Sequence, residues 1–106
     1  MSKVRFTNQD VTGEIKVYPI VLFPNPSSGK FLTRFTSEVA TTAQLKVYEA
    51  STGKLIKTQL INTNKGENQI TVNLLEEQYL TSGVYVIAIE GDELRYKPTK
   101  LVLTKQ

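Results

Sequence analysis

The sequence predicts an all-β fold: an immunoglobulin-like β-sandwich of about seven antiparallel strands in two sheets. Three observations point there. Apolar residues alternate with polar ones at a period of two along most of the chain, the pattern of half-buried strands. Turn-forming clusters interrupt that alternation about every 8–12 residues, the spacing of a sandwich. The chain is 106 residues long, enough for one domain around one core.

The first strand is expected over 15–23, broken or held at an edge by Pro19, whose ring nitrogen has no hydrogen to donate. In 30–37, Phe31, Thr33 and Phe35 share one face. In 43–49, Ala43, Leu45 and Val47 alternate with Gln44, Lys46 and Tyr48. In 54–61, Ile56, Thr58 and Leu60 oppose Leu55, Lys57 and Gln59. In 68–74, Ile70, Val72 and Leu74 alternate with Gln69, Thr71 and Asn73. The stretch 84–90 is apolar on both faces through Val84, Tyr85, Val86, Ile87, Ala88 and Ile89, which predicts a central strand covered on both sides. Leu101 and Leu103 flank Val102 in a short last strand. A segment at 74–80 is long enough for a helical turn that crosses between sheets.

The punctuation has a physical basis at each position. Pro24-Asn25-Pro26-Ser27-Ser28-Gly29 places two residues of fixed φ around an asparagine and then a glycine free to reverse the chain. Ser51-Thr52-Gly53, Asn64-Lys65-Gly66, Thr81-Ser82-Gly83 and Gly91-Asp92 supply the other turns. Residues 1–14 lack the alternation and read as a linker or tail joining the domain to something upstream, with 15–106 as the folded domain. An added edge strand at 4–7 is the rival reading of that tail.

Composition excludes most catalytic chemistry. There are no histidines and no cysteines, which removes the commonest general base, the commonest metal ligand, thiolate nucleophiles and disulfides. Ser27-Ser28-Gly29-Lys30 and Ser51-Thr52-Gly53-Lys54 lack the upstream glycine, trailing hydroxyl and following helix of a phosphate loop. The adjacent acids Glu76-Glu77 and Asp92-Glu93 read as solvated surface, and Gly91-Asp92-Glu93 lacks the ligand spacing of a calcium loop. No enzyme activity, cofactor or metal is expected. The net charge of +3, from 13 basic and 10 acidic residues, is spread along the chain and gives no nucleic-acid stripe. Only the end is one-signed, with Arg95, Lys97, Lys100 and Lys105 following Glu93, which suits an edge strand. No apolar run is long enough for a membrane helix, and 1–8 has no signal-peptide core, so the chain is expected to be either cytosolic or a fragment cut from a longer precursor.

Five motifs in fixed order resemble the C-terminal sorting domain of type IX (Por) secretion cargo in Bacteroidetes-type bacteria. They are Phe23-Pro24-Asn25-Pro26-Ser27-Ser28-Gly29-Lys30-Phe31, Leu45-Lys46-Val47-Tyr48, Thr52-Gly53-Lys54-Leu55, Leu80-Thr81-Ser82-Gly83-Val84-Tyr85-Val86 and Lys100-Leu101-Val102-Leu103-Thr104-Lys105. The resemblance spans about residues 19–106.

It implies a secretion signal that carries a covalently linked upstream cargo through the periplasm and the outer-membrane translocon to the cell surface or beyond. There a sortase-like protease typically removes it, and 8–14 is the natural place for the cut. In that setting Pro24, Asn25, Pro26 and Gly29 form a rigid corner that is either recognised or only structural. Gly53 and Gly83 serve turns, and Tyr85 packs inward with its hydroxyl on a backbone group. Lys100, Leu101, Val102, Leu103 and Lys105 form the best recognition strand, with an edge free to pair with a partner or with a second copy in a dimer. The competing reading is a passive adhesion or glycan-binding module using Tyr18, Tyr48, Tyr79 or Tyr96.

Overall fold

The computed structural model describes residues 17–77, 80–91 and 95–104. Seven strands account for most of them: β1 (Val21–Phe23), β2 (Lys30–Ser37), β3 (Thr42–Glu49), β4 (Leu55–Asn62), β5 (Gly66–Asn73), β6 (Gly83–Glu90) and β7 (Thr99–Leu103). They form two antiparallel sheets, ordered β1-β2-β5 and β4-β3-β6-β7, stacked as a sandwich of the immunoglobulin kind.

The period-two pattern builds the core directly, since alternate side chains leave opposite faces of a strand. Phe31, Thr33, Phe35 and Ser37 of β2 point inward from one sheet, joined by Val72 of β5 and Leu22 of β1. Ala43, Leu45 and Val47 of β3, Tyr85, Ile87 and Ile89 of β6, and Leu101 and Leu103 of β7 meet them from the other. The strand register places these residues side by side: Leu45 opposite Ile89, Val47 opposite Ile87, and Tyr85 opposite Leu101.

Several elements differ from the sequence expectation. The first strand shrinks to Val21–Phe23, and Tyr18 makes only an isolated parallel bridge to Tyr96. Pro19 lies between them and cannot donate to a ladder. β6 is central but covered on one face only: Tyr85, Ile87 and Ile89 are buried, whereas Val84 on the outer face is 41 % exposed. β4 carries an irregularity opposite Val47/Tyr48, where Ile56 is skipped in the register. The phase therefore puts Ile61 in the core and leaves Leu60 70 % exposed. The 74–80 segment links the two sheets, and its described part is a turn closed by the Glu77 amide on the Leu74 carbonyl. The tail 1–14, the rival strand at 4–7, Ile15, Tyr79, Asp92, Glu93, Lys105 and Gln106 lie outside the described residues.

One end of the sandwich is tied by polar groups. Thr63 Oγ1 donates to the Val39 carbonyl and accepts from the Thr41 amide. Asn68 Oδ1 accepts the Asn64 amide, and its Nδ2 donates to the Asn64 and Gly66 carbonyls. Buried in this way, the two side chains satisfy backbone groups that the loops leave without ladder partners.

Candidate functional site: the corner on the last strand

The Pro24-Asn25-Pro26 corner lies along the outer edge of β7. Asn25 Nδ2 donates to the Lys100 carbonyl at 2.9 Å, and the Val102 amide donates to Asn25 Oδ1 at 2.9 Å. An asparagine side chain carries the same donor and acceptor as a peptide group, so Asn25 acts as one residue of a neighbouring strand. Ser27 continues the ladder. Its amide donates to the Val102 carbonyl and its carbonyl accepts from the Thr104 amide, both at 2.8 Å. Ser27 and Leu103 form a parallel bridge.

The outward backbone groups of β7 from the Lys100 carbonyl to the Thr104 amide are thus occupied. This corrects the expectation of a free last edge, and with it the expectation that this edge stands ready to pair with a second copy. The cause is a side-chain-to-backbone contact across 75 residues, which no local pattern announces.

Local chemistry shapes the corner. Pro24 and Pro26 both follow cis peptide bonds. Ser27 Oγ donates to the Lys30 carbonyl and accepts the Gly29 amide, closing the reversal from within. Gly29 has φ +136°, and a Cβ there would sit 2.5 Å from Leu75 Cδ2, so glycine is needed both for the backbone and for the space. The Gly29 carbonyl then accepts the Leu74 amide, joining the corner to the end of β5.

The other sequence-derived positions separate by role. Tyr85 is 1 % exposed and its hydroxyl donates to the Thr81 carbonyl at 2.7 Å, which fixes the loop leading into β6. Gly53, at φ +75°, forms the β3–β4 turn with its amide on the Glu49 carbonyl. Gly83 is not a turn residue but the first residue of β6, opposite Leu103. Leu101 and Leu103 are core residues, Val102 and Lys100 face outward, and Lys105 lies outside the described residues.

Sequence reasoning missed a second clasp near the start of the described chain. The Tyr18 amide donates to the Arg95 carbonyl and the Lys97 amide donates to the Tyr18 carbonyl, both at 3.0 Å. Tyr96 packs edge-on against Phe35, with centroids 5.3 Å apart, and its hydroxyl donates to the Thr36 carbonyl. The Tyr18 hydroxyl bonds the Glu38 carboxylate, and this bond, ahead of burial, raises its pKa above the usual tyrosine value. Tyr18 and Tyr96 therefore serve packing and clasping. Tyr48 lies on the outer face of the four-stranded sheet with its hydroxyl toward Glu90.

Fold and site together define an all-β sandwich whose first corner is clamped to its last strand. Residues 21–104 match the family model described as "Secretion system C-terminal sorting domain", and the chain belongs to that family. It is a C-terminal sorting domain of type IX secretion, a signal for export across the outer membrane. No curated protein and no solved structure matches the chain.

Proposed function

We propose that the folded domain is the ligand through which the type IX outer-membrane translocon captures a cargo protein attached upstream. After transit through the periplasm a sortase-like surface protease removes it. The domain acts as ligand and then as substrate, and performs no catalysis itself. The observation that carries this reading is the placement of β7. Two buried leucines fix it to the core, while Lys100 and Val102 face solvent beside Lys97. Lys97 and Lys100 pair with no carboxylate among the described residues. A strand at a sheet edge with unneutralised lysines suits an acidic docking partner.

The test is a fusion of a periplasmic reporter to residues 1–106, expressed in a type IX-competent host. The intact fusion is expected at the cell surface. Deletion of residues 100–106 is expected to leave it in the periplasm. Surface delivery of the truncated fusion at the intact level would overturn the role of the last strand.

A further inference from the structure

We propose that the outer edge of β7 is a strand-addition site held shut by residues 25–27, and that its partner is an extended, acidic segment of another polypeptide that displaces them. This rests on the reading of β7 as the recognised strand and adds how that strand is guarded.

The contacts that cover the edge are of a kind an incoming strand can replace. Asn25 and Ser27 offer β7 two donors and two acceptors. An added strand presents the same alternating groups, so hydrogen bonds are exchanged rather than lost. Almost nothing apolar holds the corner in place. Pro24, Asn25 and Pro26 are exposed, and Phe23 before them is 66 % exposed. Ser27 is buried, but its hydroxyl bonds inside its own loop to Lys30 and Gly29, not to β7.

β7 itself is held from the other side. It pairs with β6 from Gly83↔Leu103 to Ile87↔Thr99, and Leu101 and Leu103 sit in the core. The corner can therefore peel away while β7 keeps its place. An uncovered edge of this length would invite pairing with any extended chain, and the corner suppresses that until the right partner arrives. Lys97 and Lys100 beside the edge, which pair with no carboxylate among the described residues, select for acidic side chains on the incomer.

Ser28 and Thr104 each follow a member of the bridged pair Ser27 and Leu103 directly in the chain, and both are exposed. The chain has no cysteine of its own, so the pair Ser28→Cys with Thr104→Cys makes a clean lock. In the reporter fusion, the oxidised lock is expected to cut surface delivery at least tenfold, with each single-cysteine variant delivered at the parent level. Locked fusion delivered at the parent level would overturn the gate while leaving the role of β7 intact, because that role is read separately by the deletion of residues 100–106.

Hydrogen exchange on the isolated chain supplies the second readout. In Asn25→Ala the Val102 amide is expected to lose protection at least tenfold, with the Leu101 and Leu103 amides, turned toward β6, unchanged. Loss of protection along all of β7 would show that the corner is part of the strand's own support, and would overturn the inference.

Discussion

Asn25 Oδ1 accepts the Val102 amide at 2.9 Å, so a side chain near the start of the sandwich completes the backbone of its last strand. The partner group, Nδ2 on the Lys100 carbonyl, makes the contact two-pronged. Asn25→Ala is expected to destabilise the domain by about 1–2 kcal/mol, from two bonds at a partly solvated edge. Asn25→Asp should fare no better. It keeps the acceptor for Val102 but sets a carboxylate against the Lys100 carbonyl, where a donor is required. Chemical denaturation of the three proteins gives the order directly.

Thr33 is fully buried in β2, and its Oγ1 has no hydrogen-bond partner among the described residues. A hydroxyl taken out of water without compensation is a cost, and valine has nearly the same shape. Thr33→Val is expected to raise stability by about 1 kcal/mol, visible as a higher melting temperature. A lower melting temperature would mean that the hydroxyl is satisfied.

Gly29 and Gly53 both have positive φ, but they differ in what surrounds them. A Cβ at Gly53 meets nothing within 4 Å, whereas one at Gly29 collides with the Leu75 side chain. Gly53→Ala is expected to cost about 1 kcal/mol, the left-handed backbone penalty alone. Gly29→Ala should cost more, about 2–3 kcal/mol, because strain and displacement of Leu75 add. Equal losses in a denaturation series would remove the steric part of that account.

The Lys46–Glu90 pair, at 2.8 Å on the outer face, sets part of the pH response. Hydrogen bonding to Lys46 holds Glu90 below its ordinary 4.5, and the same bond holds Lys46 above its ordinary 10.5. The Glu90 contribution is present above pH 4.5 and is lost as pH falls below that through the lowered value. The Lys46 contribution is present below 10.5 and is lost as pH rises past it. Tyr18, raised above 10.0 chiefly by its bond to Glu38, also loses its contribution on the alkaline side. Melting curves across pH should show a shallower acid-side decline for Glu90→Gln than for the parent. They should also show a shallower alkaline decline for Tyr18→Phe.

Most of the fold was legible because burial in β2, β3 and β7 follows strict alternation: Phe31/Thr33/Phe35, Ala43/Leu45/Val47, Leu101/Leu103. β6 misled because its apolar residues on both faces suggest two covers, while on the outer face Val84 is exposed and Val86 and Ala88 are only partly buried. In β4 a single skipped residue changed which side chains face inward, and Leu60 went to solvent. The five ordered motifs marked both halves of the site. They did not reveal that Asn25 touches β7, since a contact between residues 77 apart leaves no period in the sequence. The Tyr18 clasp was hidden for the same reason.

The two parallel bridges, Tyr18 with Tyr96 and Ser27 with Leu103, have a mechanical consequence. In both, an early segment and a late segment run in the same direction. A pull on the two ends of the chain therefore drags these segments past each other lengthwise, and their hydrogen bonds share the load at once. A sideways pull on the corner breaks the same bonds one at a time. The domain should behave as a tether that is stiff along its length and yielding from the side. Single-molecule stretching is expected to give a higher rupture force for handles at residues 17 and 104 than for handles at residues 25 and 104. Equal forces would mean that these bridges carry no tension.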